Sequence, residues 1–432
     1  MNILVVSSMA WDDTNSIGNT LSNWFDGDTW KDDNFYHLYL RKQPPNNTVC
    51  RNYFQISVFD IINPFIHKEK IGKQFKINCE KKNKYQNSKK EKKLIGLLHK
   101  VPLNAIYGLI DFAYQSKRWI NKSLDAYILE SHIDIVFVVV TDVSFMASFI
   151  KHIRNNYQKR IIIYIPDDMK GRYENTGAFR KDKLLSELRF IIENADYAYC
   201  ASEKLSSYYC KYYGREFNTI YKGCVIKKNV VTNMNNPLKI IYAGSLFYGR
   251  NTVLLSLISA LKEINRKKNN SFCLDIYSAD DLLKTDEDIY NVAGVSRFVG
   301  KLPYEQVCSE TRNSDFVLIP ESFLEKDKIQ TRYSFSTKIP EGLQSGVNLL
   351  AIGPSDISSM EFLSKLPFVY YINENNKIIS VLEDILNDRD TLLAKRCESL
   401  KYAIKMFDIH QNQHRIRKAF IGVLEGENNG KD

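Results

Sequence analysis

Long apolar runs are missing from this sequence of 432 residues. The longest uninterrupted one, Ile135 to Val140, covers six residues, where a membrane span needs about 20. The opening Met1-Asn2-Ile3-Leu4-Val5-Val6 has no basic flank, and its apolar stretch is shorter than that of a signal peptide. The sequence therefore predicts a cytoplasmic protein, neither membrane-spanning nor exported by an N-terminal signal. Glycine (19) and proline (11) are scarce, which excludes collagen-like and linker-dominated architectures. The eight cysteines (50, 79, 200, 210, 224, 273, 308 and 397) form no C-x-x-C pair and no zinc spacing, and read as reduced thiols. His410 and His414 lie at i, i+4 without an H-E-x-x-H or a further ligand set, so they read as surface or packing histidines and no metal cofactor is expected. No repeat of 20–50 residues is visible.

Hydrophobic residues make up 44% and charged residues 25% of the chain, enough to bury sizeable cores, and about 150 residues per domain gives two or three domains. The net charge of +10 is compatible with a phosphate-bearing substrate or an anionic membrane surface. The abundance of Lys, Asn and Ile suggests an AT-rich, bacterial genome. Aromatic and basic residues interleave in Tyr208-Tyr209-Cys210-Lys211-Tyr212-Tyr213. At a helix end in an α/β frame this reads as packing, and no nucleic-acid partner is expected.

Short β-branched runs alternate with longer helical patterns, the signature of a parallel α/β architecture. The first block predicts strands over Ile3–Ser7, Tyr36–Leu40, Asp134–Val140, Ile161–Ile165, Tyr197–Ala201 and Thr219–Tyr221. Its helices fall at about Ser16 onward, Val143–Asn155, Arg180–Asn194 and Glu203–Tyr213. Unalternating runs such as Ile135–Val140 suit strands buried on both faces. A polar stretch from Lys227 to Pro237 reads as a linker. The second block predicts strands over Leu238–Ala243, Cys273–Tyr277, Ser296–Val299, Phe316–Ile319, Val347–Ile352 and Phe368–Tyr371. Helices are expected at Thr252–Lys267, Glu305–Asn313, Ser336–Gln344 and Ser355–Phe362, and one long segment over Ile378–Leu424. The expected domains are 1–228, 237–385 and a helical segment 386–432 that packs back toward the first and ends in a disordered tail.

One segment breaks the pattern. Lys81, Lys82, Lys84, Lys89, Lys90, Lys92 and Lys93 precede Leu94, Leu97, Leu98 and Val101 at helical spacing. Such a basic amphipathic stretch can lie on anionic lipid; a solvated insertion leading into a core helix would have the same composition.

Two stretches carry chemistry. Gly244-Ser245-Leu246-Phe247-Tyr248-Gly249-Arg250 follows a strand and opens a helix. Glycine allows close backbone approach, a helix start favours anions, and Arg250 offers a fork of donors for phosphate. Neither a P-loop nor a G-x-G-x-x-G fingerprint is present. The second stretch runs from Pro320-Glu321 through Ser336-Thr337-Lys338-Ile339-Pro340-Glu341-Gly342. Free amides, hydroxyls and Lys338 there form an anion cradle, with Glu341 one turn on to accept from a sugar diol. A capping serine with an acidic first turn is compatible with both uses. The Asp12-Asp13 and Asp280-Asp281 pairs read as turn and cap residues. Asp167-Asp168 reads as an N-cap pair or a site element.

Together with Phe298-Val299-Gly300-Lys301-Leu302-Pro303, Ser314-Asp315, Ser345-Gly346 and Leu350-Ala351-Ile352-Gly353-Pro354, these motifs resemble, in their order, the nucleotide-sugar half of a GT-B glycosyltransferase. The resemblance is to family 4, of bacterial capsular and other surface-polysaccharide synthesis. It covers Leu238 to Phe362 well and the first domain more loosely, through Ala195-Asp196, Ser202-Glu203 and Asp167-Asp168. It implies two doubly wound Rossmann-like domains facing across a cleft. It implies transfer of a sugar from a nucleotide diphosphate donor to a glycan or lipid-linked acceptor, with retention of configuration. No D-x-D is evident on a suitable loop, in agreement with metal-independent transfer.

In that resemblance Glu341 matches the second Glu of the E-x7-E motif, which binds the donor ribose. Ser336, Thr337 and Lys338 meet the donor phosphates, and Arg250 and the Gly244-Ser245 loop sit at the diphosphate. Gly300 and Leu302 line the base pocket, and Ser16, Gly18 and Asn19 match the first loop on the acceptor side. Tyr333 stands where the first motif Glu is expected; either Glu321 replaces it after an insertion, or the loop differs in function. The family's His is absent, and Asp168 with Asp167 occupies a similar place. A nucleotide-sugar 2-epimerase and a catalytically lapsed donor-binding subunit are the alternatives. The basic segment implies a peripheral position at the inner membrane face.

Overall fold

The computed structural model describes residues 1–77, 103–174, 176–225, 232–269, 271–280 and 287–426. The basic segment Lys81–Val101 lies outside the described residues. Contacts divide the chain into two units: Met1–Ile220 with His410–Asp432, and Tyr221–Ile409.

The first unit is built on an eight-stranded sheet. In chain order its strands are β1 (Asn2–Ser7), β2 (Asn34–Tyr39), β3 (Asn52–Gln55), β4 (Lys73–Lys76), β5 (Ile135–Val139), β6 (Arg160–Ile165), β7 (Tyr197–Cys200) and β8 (Asn218–Thr219). They lie in the order β4-β3-β2-β1-β5-β6-β7-β8. All neighbours pair in parallel except β3 and β4, which run antiparallel. β5 is buried along its whole length, as its unalternating sequence requires. The sequence reading lacks β3 and β4. They are four residues each, and β4 alternates Lys-Gln-Phe-Lys on an exposed edge, a lysine-blunted edge strand without an apolar run to announce it.

The second unit carries β9 (Leu238–Ala243), β10 (Phe272–Tyr277), β11 (Ser296–Phe298), β12 (Phe316–Pro320), β13 (Asn348–Ile352) and β14 (Tyr370–Ile372). The order is β11-β10-β9-β12-β13-β14, parallel throughout. Within each sheet the first strand in sequence sits at the centre and the order reverses beside it, between β1 and β5 and between β9 and β12. In doubly wound sheets that switch point, at the carboxyl ends of the strands, is where ligands bind.

The terminal segment is not one helix but three: Ile378–Asn387, Asp390–Phe407 and Ile409–Glu425. Asp388 leaves helical geometry at φ −127°, ψ 56°. Asp408 is extended and pairs as a bridge with Cys224, whose carbonyl accepts from the Ile409 amide. The last helix delivers Ile416, Phe420 and Val423 to the core of the first unit, where the Phe420 ring meets Phe25, Trp30 and Phe137. The chain enters the second unit before the polar 227–237 stretch, since Cys224 is buried and Tyr221 packs against its core.

A buried ion pair anchors the second unit. Arg396 and Asp315 are both fully buried, with Nη2 to Oδ1 at 2.8 Å. Asp315 also accepts from the Lys239 and Asn235 amides and from Asn235 Nδ2. An ion pair taken out of water is tolerated only with such additional bonds.

Candidate functional site

At the switch point of the second unit, β9 ends before Gly244 and Ser245 and β12 ends before Glu321. The Gly244 amide donates to the Tyr277 carbonyl at 3.0 Å. Ser245 Oγ and the Leu246 amide both donate to Asp280, at 3.1 and 2.6 Å. Asp280 thus fixes the glycine loop; reading it as a turn residue misses this, because the loop it holds lies 34 residues earlier. Gly249 precedes the Arg250–Lys267 helix at φ +69°, and a Cβ there would overlap Asp327 and Ser322. Only glycine lets the helix start so close to the loop after β12.

Arg250, the first residue of that helix, points to Glu321 with Nη2 3.1 Å from Oε1 and 3.4 Å from Oε2. Glu321 is 3% exposed. Burial raises its carboxyl above the usual range, even against Arg250. For Arg250, burial disfavours the charge, but Glu321 outweighs it and raises the guanidinium. The Arg250 guanidinium also sits 5.8 Å from the Tyr248 ring centre.

Glu341 lies in the first turn of the Lys338–Ser345 helix. Lys338 Nζ reaches its Oε2 at 2.8 Å and Lys222 Nζ its Oε1 at 3.1 Å. Burial alone would raise Glu341; the two ammonium groups overcome it and hold the carboxyl below its usual range. The cap position is Thr337, helical at φ −63° and without a side-chain bond. Ser336 instead accepts from the Lys338 amide at 3.3 Å, while its own amide donates to Ser359 Oγ. Helix formation begins at Lys338, two residues later than the periodicity predicts. Gly300 O accepts from the Ser278 amide at 3.2 Å, tying the loops after β10 and β11, and Leu302 packs on the core with Ile339 and Leu343.

The first-unit residues are placed differently. Gly18 sits in the Ser16–Phe25 helix, where a Cβ would overlap the Asp12 backbone. Its amide donates to the capping Asn15 side chain at 2.7 Å, and Asn19 Nδ2 donates to the Asp13 carbonyl. The space at Gly18 is thus filled by the preceding loop, and Ser16 is the first helical residue. Asp168 accepts from Tyr209 OH at 3.0 Å, and burial raises its carboxyl. It anchors the Met169–Tyr173 helix to the Glu203–Tyr213 helix. His37, on β2, is fully buried with Nε2 3.0 Å from Ser7 Oγ, and burial lowers its imidazole to about 3; it is a neutral core residue. Among the described residues no group of three or more His, Cys, Asp or Glu side chains is arranged to hold a metal ion, and no helix is long and apolar enough to cross a membrane.

No family model matches the sequence, and no curated protein matches it by sequence. Solved structures match along almost the whole chain. Sucrose-phosphate synthase from Thermosynechococcus elongatus is similar at TM-score 0.64 and 12% identity, covering 98% of this chain and 99% of that one. Anabaena HepE in complex with UDP gives 0.61 at 10% identity, covering 98% and 100%. E. coli trehalose-6-phosphate synthase bound with UDP-2-fluoro glucose gives 0.59 at 13%, covering 96% and 98%. With two Rossmann-like sheets whose central strands run parallel in the same order, and these neighbours, the chain has the GT-B fold.

Proposed function

We propose that this protein is a glycosyltransferase that moves a sugar from a nucleotide diphosphate donor to a lipid-linked glycan acceptor. In this reading it resembles the retaining family 4 enzymes of bacterial capsular and surface-polysaccharide synthesis. The observation that carries it is the arrangement of Arg250, Lys338 and Lys222 about Glu321 and Glu341 at the carboxyl edge of one sheet. HepE was solved with UDP, with UDP and glucose, and with UDP-glucose, which supports UDP as the nucleotide.

The chemistry asks for charge neutralisation as the bond between the sugar and the diphosphate breaks. Fixed cations at the developing charge lower that barrier without reorganisation. Arg250 and Lys338 supply them, with the first amides of the Lys338–Ser345 helix, so transfer is proposed to be metal-independent. Glu341, kept ionised by its two lysines, accepts hydrogen bonds from the ribose diol. Glu321 holds Arg250 in place until the diphosphate takes over as its counter-ion. A peripheral position at the inner membrane face belongs to the same reading.

The test is calorimetric titration of UDP, followed by a panel of UDP-sugars assayed for transfer with and without EDTA. Saturable UDP binding, with turnover that survives EDTA, is the expected result. Turnover abolished by EDTA and restored by Mg2+ would overturn the metal-independent mechanism, and absence of UDP binding would overturn the donor site.

A further inference from the structure

The first unit has a polar cavity of about 540 Å³ lined by three segments. One is the stretch at Lys68 and Glu69, the second runs from Lys117 to Asp125, and the third is the Val143–Asn156 helix. That helix starts at Asp142, just past the carboxyl end of β5, and runs back along the sheet toward the start of β6. It gives Lys151, His152 and Asn155 to the cavity. At 1.5 Å per residue His152 stands about 15 Å along the axis from Asp142. The cavity thus lies away from the edge where the strands end.

Its walls are bonded to one another. Asn121, 3% exposed, donates to the Lys68 and Ile71 carbonyls at 2.8 and 2.7 Å, and its Oδ1 caps the next helix through the Leu124 amide. The Lys122 amide donates to Glu69 Oε2 at 3.0 Å. His152 Nε2 lies 2.9 Å from Asp125 Oδ1, which also accepts from Tyr157 OH at 2.6 Å, and Asn156 Nδ2 lies 3.0 Å from His152 Nδ1. Both bonds to Asp125 fall on one of its oxygens. Onto this frame four lysines converge: Lys68, Lys117, Lys122 and Lys151. All four are exposed, so core packing does not dictate them. Among the described residues none of their ammonium groups has a carboxylate within 4.0 Å, although Glu69 and Asp125 share the lining.

We infer that this cavity is a second binding site, separate from the donor site of the other sheet, and that it takes a sugar phosphate. The phosphoryl group lies among the lysines, and the sugar hydroxyls meet Asp125, Asn155 and Ser148. Four ammonium groups around one cavity repel one another; a dianionic group relieves that repulsion and forms charge-assisted hydrogen bonds with them. A carboxylate, amides and a hydroxyl beside the cations suit a polyol rather than a bare anion, because a sugar hydroxyl both donates and accepts. Among the described residues no aromatic ring lines this cavity, so nothing there would stack on a nucleotide base. The volume falls within the range of small-ligand sites, and walls already bonded together need little ordering on binding. No residue of the donor site enters this inference, which therefore goes beyond the glycosyltransferase reading without resting on it.

The full chain, with and without saturating UDP, is titrated calorimetrically with glucose 6-phosphate, glucose 1-phosphate, fructose 6-phosphate, inorganic phosphate and glucose. At least one sugar phosphate should bind saturably and more tightly than inorganic phosphate, and glucose should not bind. Lys68→Ala/Lys151→Ala, changed at exposed positions on two walls, should weaken that binding at least about tenfold and leave UDP affinity and the urea midpoint unchanged. Lys401→Ala/Lys405→Ala removes the same charge from a helix of the second unit and should leave sugar-phosphate binding as it is. Equal weakening by both double variants would mean diffuse attraction and overturn the site, as would equal binding by the parent and the Lys68/Lys151 variant. Inorganic phosphate bound as tightly as every sugar phosphate overturns the saccharide assignment, and no sugar phosphate bound overturns the inference whether or not UDP binds. Failure of UDP to bind is read separately in the same titrations and bears on the donor site alone.

Discussion

The two sheets treat charge differently at the edge where their strands end. In the second unit Arg250 pairs with Glu321, and Lys338 and Lys222 share Glu341. In the first, Arg41 and Lys42 line a cavity, with Lys42 Nζ 4.0 Å from Asp60 Oδ1. Close pairs are held in place before any ligand arrives, at the cost that a ligand must displace their partners. Longer contacts leave side chains to be ordered when an anion binds. The first arrangement suits a ligand always present in the same form, such as a nucleotide.

The largest expected effect probes how far the second unit depends on paired charge. Arg396→Ala leaves Asp315 buried without its cation and should cost about 3–5 kcal/mol of stability. Urea denaturation would show it, and an unchanged midpoint would break the view that this unit is built around ion pairs.

Next come the donor contacts. Arg250→Ala or Lys338→Ala should weaken UDP binding about ten- to hundredfold, the loss of a charge-assisted bond of roughly 1.5–3 kcal/mol. Glu321→Gln sharpens the contrast. If the carboxylate competes with the diphosphate for Arg250, this variant should bind UDP more tightly, by up to about tenfold, while transferring sugar more slowly. Weaker UDP binding would mean that Glu321 contacts the nucleotide itself.

In the first unit Asp142 offers a test by pH. Burial raises its carboxyl to about 6, so the folded form holds this proton more tightly than the unfolded one. That contribution to stability is complete below about pH 4 and is lost as pH rises through 6. Asp142→Asn, which keeps an amide oxygen for the helix cap, should therefore raise the melting temperature by a few degrees at pH 7.5, about 1–3 kcal/mol, and change little at pH 4. Equal gains at both pH values would point to packing rather than charge.

A separate test, outside both sheets, concerns Lys89, Lys90, Lys92 and Lys93. Replacing them with Glu should abolish salt-sensitive binding to anionic vesicles, since each lysine is worth about 1 kcal/mol at such a surface, with UDP affinity unaffected. Vesicle binding equal to the parent's would identify a solvated insertion.

Much of the fold was legible because doubly buried strands must be written as continuous apolar runs: Ile135–Val139 and Phe316–Pro320 could hardly be anything else. The edge strands Asn52–Gln55 and Lys73–Lys76 carry no such demand and left no pattern. Periodicity alone carried the last helix through Asp388 and Asp408, because the pairing of Asp408 with Cys224 is a tertiary fact. The same division holds at the site. Lys338 and Glu341 are three residues apart and declare themselves on one helix turn, whereas Lys222 reaches Glu341 from 119 residues away. In the first unit the cavity lined by Ser8, Arg41, Lys42, Ser57, Thr141 and Asp142 gathers short stretches from the ends of four strands, so no local spacing encodes it.

The return of residues 410–425 to the first unit orders events on the ribosome. The first sheet can assemble as it emerges, but the surface that receives Ile416 and Phe420 stays open until the whole second unit has been made. A chain stopped anywhere after Ile220 and before this helix would carry an unfinished aromatic core around Phe25, Trp30 and Phe137, exposed to chaperones and proteases. Quality control of nascent chains can therefore read completion of the second unit through the state of the first.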